Sequence, residues 1–245
     1  MPLRRFYVPR HLIRNDTAVL PPDEAHHLRH VLRLSSGDEV EIFDGEGKGY
    51  VGHVQLRGAE VVVCRLQPLQ LPTSQNTISL AVALIKPGRF EWILQKATEL
   101  GVSEIIPLKT QRSEIRIGEN KVGFRWQRWN RIIKEAAKQC RRFDAPRLQT
   151  PWEFSELLSR AEPCSCTKLL FDESAVNLWQ PDKRLVNEKV IICIGPEGGW
   201  ESEEVARARL AGFQVFSLGN LILRSETAAI AALAIVRYQL DLLRR

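Results

Sequence analysis

The sequence predicts an α/β protein with a smaller β-rich unit ahead of it. From residue 77 onward, apolar runs of strand length alternate with amphipathic helical stretches. The first seventy residues hold instead short alternating runs separated by Gly, Asp and Pro. Between the two patterns lies a polar stretch with two prolines, PLQLPTSQN, from Pro68 to Asn76. The expected division is therefore residues 1–70, a linker at 71–76 and a second domain at 77–245.

In the first unit, Arg5 to Val8, Glu39 to Phe43, Tyr50 to Leu56 and Glu60 to Leu66 read as strands. A helix is expected at Pro22 to Leu32, with Asp23 and Glu24 in its first turn and Ala25, Leu28, Val31 and Leu32 on the face it lays on the sheet. Gly47, Gly49 and Gly52 match G-x-G-x-x-G, but Tyr50 to Leu56 alternates as a strand, whereas a pyrophosphate needs a helix N-terminus. Asp44 to Gly47 is then a hairpin tip. His26 and His30 stand one helical turn apart without a third ligand nearby, and Cys164 and Cys166 form a C-x-C, which is not a metal-ligand spacing. Neither a metal nor a disulfide is expected from the five cysteines.

In the second domain, strands are expected at Ile78 to Leu84, Ile105 to Leu108 and Lys168 to Phe171. A helix from Phe90 to Leu100 carries an apolar stripe and stops at Gly101, and a capping box at Thr150 to Glu153 starts another short helix. From Lys121 to Arg142, the apolar residues Val122, Trp126, Trp129, Ile132, Ile133, Ala136, Ala137 and Cys140 fall on one side of a helix. Arg128, Arg131, Lys134, Lys138, Arg141 and Arg142 fall on the other, with Glu135 the only carboxylate. A solvated face explains most charged helices, yet a face of one sign repels itself and needs a counter-charge. Together with a net charge of +6 and a pI near 9.2, this favours a phosphate backbone as partner. Arg4, Arg5, Arg10 and Arg14 add a second cluster and Arg112 a further cation; the clusters are expected to clamp folded RNA.

The candidate site lies between Val190 and Ala228. An apolar run, Val190 to Ile194, breaks into Gly195-Pro196-Glu197-Gly198-Gly199; a helix comes next, then a strand at Gln214 to Leu218 and a second glycine-bearing loop. Two successive strands ending in glycine loops read as adjacent parallel strands, whose carboxyl ends bind ligands in open α/β sheets. Plain tight connections would also use glycine, but two adjacent glycines exceed what such a connection requires. The last helix, Thr227 to Leu243, is apolar on nearly every side, so a second subunit is expected to cover part of it and make a homodimer. No apolar run reaches the roughly 18 residues of a membrane span. The opening MPLRRFYVPRH has no apolar signal core, so a cytoplasmic location is expected.

GPEGG at 195–199, LGNLILRSETA at 218–228, QKATELGV at 95–102 and EAAKQCRR at 135–142 together resemble the RsmE family of RNA methyltransferases. One position departs from the family's pattern: Leu221 stands where members often carry a basic residue. The resemblance implies a PUA-like β-barrel first domain and a SPOUT-type parallel-sheet second domain whose C-terminal segment forms a trefoil knot. It also implies S-adenosylmethionine as methyl donor and N3 of a uridine in small-subunit ribosomal RNA as acceptor. The donor site would then comprise Leu170, Phe171 and Asp172; Ile194, Gly195, Pro196, Glu197, Gly198 and Gly199; and Leu218, Gly219, Asn220, Leu223, Arg224, Ser225, Thr227 and Ala228. Arg224 would hold the uridine oxygens and stabilise the imide anion, and Glu226 would act as base or orient Arg224. A local salt bridge capping the last helix is the plainer account of that pair. A non-enzymatic RNA-binding or ribosome-assembly protein would explain the basic surfaces but leave the glycine loops without purpose. A nucleotide-dependent enzyme would need a phosphate loop that the sequence lacks.

Overall fold

A computed structural model describes residues 3–69, 77–113, 119–179 and 189–242; the expected linker at 71–76 lies outside them. The chain forms two compact units. One gathers Met1–Thr73 with Lys134–Ala145, the other Ser74–Ile133 with Pro146–Arg245, so a segment that the sequence pattern leaves in the second domain belongs to the first unit.

The first unit contains β1 (Arg4–Tyr7), β2 (Ile13–Arg14), β3 (Thr17–Val19), α1 (Pro22–His26), β4 (Glu39–Phe43), β5 (Gly49–Arg57) and β6 (Glu60–Pro68). They form a six-stranded sheet in the order β1-β4-β5-β6-β3-β2. β1 pairs in parallel with β4 and the remaining pairs are antiparallel. Phe6, Val8, Ala18, Leu28, Val40, Ile42, Val61 and Val63 fill its core. After α1 the helix widens over His27–Val31, where the Leu32 amide donates to the His27 carbonyl at 3.0 Å. That extra residue per turn rotates Val31 off the expected face, and it is 64% exposed. At Asp44 to Gly47 the Asp44 carboxylate accepts the amides of Glu46 (2.8 Å) and Lys48 (2.9 Å), which closes the hairpin tip before β5 begins at Gly49.

The second unit contains β7 (Thr77–Ala83), α2 (Pro87–Glu99), β8 (Glu104–Lys109), the start of α3 (Glu119–Gln139), β9 (Arg147–Leu148), β10 (Trp152–Glu153), α4 (Phe154–Ala161), β11 (Thr167–Phe171), β12 (Lys189–Ile194), α5 (Ser202–Leu210), β13 (Gln214–Phe216) and α6 (Ser225–Leu242). Every strand pairing among its described residues is parallel, in the order β10-β8-β7-β12-β11-β13, with β9 also on β8. Parallel strands joined through helices are buried on both faces, which is why β7 and β12 read as nearly continuous apolar runs. On one face, α4 and α5 close over Ala81, Leu170, Cys193 and Val215. On the other, α6 packs on β12 and on α2 through the fully buried Ala229, Ala232, Leu233, Val236 and Leu240.

Two expectations from the sequence change. β12 and β13 are not neighbours, because β11 lies between them: Leu170 pairs with Cys193 on one side and Val215 on the other. The connection through α5 is long enough to step over a strand. The expected capping box does not start a helix either, since Trp152–Glu153 pairs with β8 as an edge strand and α4 begins only at Phe154. Edge pairing wins there over a local cap.

Candidate active site

The carboxyl ends of β11, β12 and β13 open into one cavity of about 260 Å³ within the second unit. Three chain segments wall it: Phe171 to Glu173 after β11, Ile194 to Trp200 after β12, and Ser217 to Ala228 after β13, with Arg89 of α2 completing the lining. The segments are tied to one another by the backbone. The Asp172 amide donates to the Phe216 carbonyl at 2.9 Å, and the Ser217 amide to the Asn177 carbonyl at 2.8 Å. The loop after β13 is thereby held against the loop after β11.

The turn after β12 requires glycine at two positions for different reasons. A Cβ on Gly195 would lie 2.9 Å from the Trp200 ring, so only glycine lets the chain pass over the indole. Gly199 has φ of +72°, a left-handed backbone that closes the turn through its amide on the Pro196 carbonyl at 3.0 Å. Trp200 is buried, packs its ring at a tilt 4.9 Å from that of Phe154 and donates its indole N–H to the Phe171 carbonyl at 3.0 Å. α5 then begins with a reciprocal capping box, the Glu204 carboxylate accepting the Glu201 amide at 3.0 Å. Outside the turn, Arg112 grips it through Glu201 (2.7 and 3.1 Å) and the Gly198 carbonyl (2.8 Å). This contact raises the Arg112 pKa and holds the Glu201 carboxyl below the usual carboxylate range.

Charge at the cavity is arranged around two arginines. Arg89 pairs with Glu197 of the glycine turn and lies 3.6 Å from the Glu226 carboxylate. Arg224 lines the cavity, is exposed, and has no ion pair among the described residues. The two residues expected to act together are thus separated in role: Glu226 is bound to Arg89 and not to Arg224, and it is not part of the cavity wall. A contact between residues two positions apart could be read from sequence; one to a helix more than a hundred residues away could not.

Of the expected donor-site residues, Phe171, Asp172, Ile194, Gly195, Pro196, Glu197, Gly199, Leu218, Leu223, Arg224, Ser225 and Ala228 line the cavity. Leu170 is one residue too early and fully buried in β11. Gly198 faces Arg112, and Thr227 points outward on α6. Gly219 and Asn220 line a neighbouring cavity of about 370 Å³ with Val176 and Leu178. The sequence pattern did not single out Arg89, Glu173, Trp200 or Ser217 as cavity residues. For Trp200 a signal existed, a large aromatic directly after a glycine pair; for Arg89 there was a cation in the first turn of a helix, where the dipole disfavours it.

The cations expected on RNA fall into two groups. Arg5 is buried between the Phe43 and Phe143 rings (4.3 and 4.2 Å) and 3.0 Å from Glu41. Burial holds its pKa below the ordinary range, with Glu41 opposing. Lys138 bonds both Glu24 oxygens at 3.0 and 2.7 Å, and Arg142 pairs with Asp144 at 2.7 Å. Arg128 and Arg141 likewise have Glu91 and Glu41. The expected need for an external counter-charge is therefore corrected for four of the six cations at 128–142, to which Glu91, Glu24, Glu41 and Asp144 supply it; among the described residues Arg131 and Lys134 have no carboxylate partner. Arg10 is half-exposed beside Asp44 at 3.3 Å, while Arg4 and Arg131 are exposed without an ion pair among the described residues.

Comparison with known proteins places this geometry. The RNA methyltransferase domain family matches residues 72–237, and the RNA methyltransferase PUA domain family matches residues 20–66. Ribosomal RNA small subunit methyltransferase E of Bacillus subtilis (strain 168) is 30% identical over 233 residues, covering 91% of this chain and 90% of the relative. The Synechocystis protein of the same name is 33% identical, covering 92% of this chain and 74% of the relative. The crystal structure of Ribosomal RNA small subunit methyltransferase E from Neisseria gonorrhoeae, bound to S-adenosyl methionine, superposes with a TM-score of 0.87 at 29% identity, covering 97% of this chain and 98% of that one. A Legionella pneumophila protein solved in complex with the bound cofactor SAM gives a TM-score of 0.85 at 30% identity, with coverage of 97% and 98%. The curated relatives carry the name of the family that the four sequence motifs resemble.

Proposed function

Because this chain belongs to the RNA methyltransferase domain family, alongside the ribosomal RNA small subunit methyltransferase E proteins, we propose that it methylates N3 of a uridine in small-subunit ribosomal RNA with S-adenosylmethionine as donor. One observation carries the reading: the GPEGG turn and the loop at 217–225 meet around a single cavity at the strand ends. Its walls suit the donor. Ile194, Leu218 and Leu223 offer apolar surface for the adenine, the glycine turn brings backbone close, and the Asp172 and Glu173 carboxylates suit ribose hydroxyls and an ammonium. When bound there, the donor supplies an electrophilic methyl group on a sulfonium.

The protein's own contribution is placement and charge. Holding acceptor and donor in line supplies up to ~7 to 11 kcal/mol of such a barrier. Loss of the N3 proton spreads negative charge onto O2 and O4 of the uracil, and Arg224, held by no carboxylate among the described residues, donates to that charge. Glu226 faces Arg89, so the proton leaves to water at the cavity mouth.

Further features belong to the same proposal. The first unit is a PUA-like barrel, supported by the match at 20–66 and by the order of its six strands. The second is a SPOUT-type fold with a C-terminal trefoil knot; support comes from β13 lying beyond β11 while α6 returns to β12. Two copies associate through α2 and α6, which leave Trp92, Ile235 and Tyr238 42%, 42% and 67% exposed. The protein works in the cytoplasm, where ribosomal RNA is made; among the described residues no helix is long and apolar enough to cross a membrane.

The test has two arms. Calorimetric titration of the protein with S-adenosylmethionine is expected to give saturable binding. Incubation with labelled donor and small ribosomal subunits lacking the modification, followed by mass spectrometry of the nucleosides, is expected to yield 3-methyluridine. Absence of binding would remove the donor site, and a different methylated nucleoside would remove the acceptor.

A further inference from the structure

Arg89 is an anomaly on electrostatic grounds. It stands in the first turn of α2, directly after Pro87 and Gly88, where the helix dipole repels a cation and no carboxylate of the same turn offsets it. Its compensation comes from two other segments. Glu197 belongs to the turn after β12, and Glu226 to the first turn of α6, where a carboxylate is favoured. All three side chains are mostly shielded, at 35%, 27% and 13% exposure. Arg89 itself reaches the cavity, whereas Glu226 sits behind it with its second oxygen buried and unpartnered.

We propose that Arg89 is a positioning residue for methyl transfer, acting through Glu197 and Glu226 to lock the glycine turn against the N-terminus of α6. The proposal rests on the reading of this cavity as the methyl-donor site. The turn is one wall of the cavity; Arg224, the cation offered to the acceptor, lies two residues before Glu226. A single guanidinium therefore sets the distance between the segment that cradles the donor and the segment that presents Arg224. A guanidinium does this with two separate N–H edges, as seen from its Nη1 on Glu197 and its Nε toward Glu226. A lysine could satisfy one carboxylate but not hold both in a fixed relation. The arrangement also ties up Glu226, so that carboxylate does not compete for the loop's arginine, which stays available.

The experiment separates positioning from simple support of the fold. Arg89→Gln, Arg89→Lys, Glu226→Gln and the double variant Arg89→Gln with Glu226→Gln are compared for unfolding temperature, donor dissociation constant by calorimetry, and kcat with small-subunit RNA. A misplacement near 1 Å is expected to lower kcat of Arg89→Gln by ~10- to 100-fold, with donor affinity changed by less than about threefold. Arg89→Lys is expected to recover part of the loss. The double variant is expected to be no slower than Arg89→Gln, because Arg89→Gln already breaks the contact that Glu226→Gln removes. If Arg89→Gln keeps the kcat of the unaltered protein, or if its loss and that of Glu226→Gln multiply in the double variant, the proposal fails. Failure of the unaltered protein to bind the donor would instead overturn the reading of the cavity.

Discussion

Arg5, Lys138, Arg141 and Arg142 of the first unit and Arg224 at the cavity of the second differ in who holds them. Arg5, Lys138, Arg141 and Arg142 are gripped by Glu41, Glu24 and Asp144 or by aromatic rings, and most of these contacts join segments distant in the chain. Arg224 is gripped by no carboxylate among the described residues. A cation with buried carboxylate partners is part of the fold. One left exposed at the lip of a cavity is available to a ligand. Charge count is identical in the two cases, so net charge alone could not distinguish them.

The comparison breaks first if Arg5 proves dispensable. Arg5→Ala leaves Glu41 buried with only the more exposed Arg141 opposite it, and the unfolding free energy from denaturant titration is expected to fall by ~3 to 5 kcal/mol. Donor binding per folded molecule should stay unchanged. For Arg224→Ala the expectation is reversed: no change in unfolding, a donor dissociation constant within about twofold, and a kcat lower by ~10²- to 10³-fold. Next comes the RNA term. Removing Arg131, exposed and without an ion pair among the described residues, is expected to make the slope of log affinity against log salt shallower by ~0.7 to 0.9. Lys138→Ala should leave that slope alone and lower the unfolding temperature, because Lys138 is bound to Glu24.

The smallest effect is a pair of opposite pH trends. Arg112 holds the Glu201 carboxyl below its ordinary range, so its contribution is complete above the unfolded carboxylate pKa and is lost as pH falls toward the depressed folded value. Glu24 runs the other way. Burial raises its pKa despite the Lys138 hydrogen bond, so the folded form takes up the proton first and gains stability as pH falls through that raised value. Melting curves between neutral and mildly acidic pH should therefore lose part of their acid slope in Arg112→Gln and steepen in Glu24→Gln.

Much of the architecture was legible where the pattern is local. Alternation located β4, β5 and β6 within two residues, and the 3.6-residue stripe of Phe90, Ile93, Leu94 and Ala97 located α2. β2 and β3, two and three residues long, are too short to alternate visibly. The cavity was legible through GPEGG, since a turn passing over an indole demands glycine whatever surrounds it. Strand order was not, because nothing in Gln214–Phe216 records that it pairs with β11 and not with β12. The partners of the cations were hidden for the same reason: Glu24 meets Lys138 across 114 positions of sequence. Periodicity reports which face is buried, not what lies opposite it.

The placement of β11 between β12 and β13 has a consequence for biogenesis. As a nascent chain emerges from the ribosome, the first two walls of the cavity exist only as loose ends until Gln214–Phe216 docks on the outer edge of β11. Until then β11 presents an open, apolar edge able to recruit a stray strand. The cavity thus waits for residues 214–228, and a ribosome stalled before that point carries a chain with most of this sheet and no site.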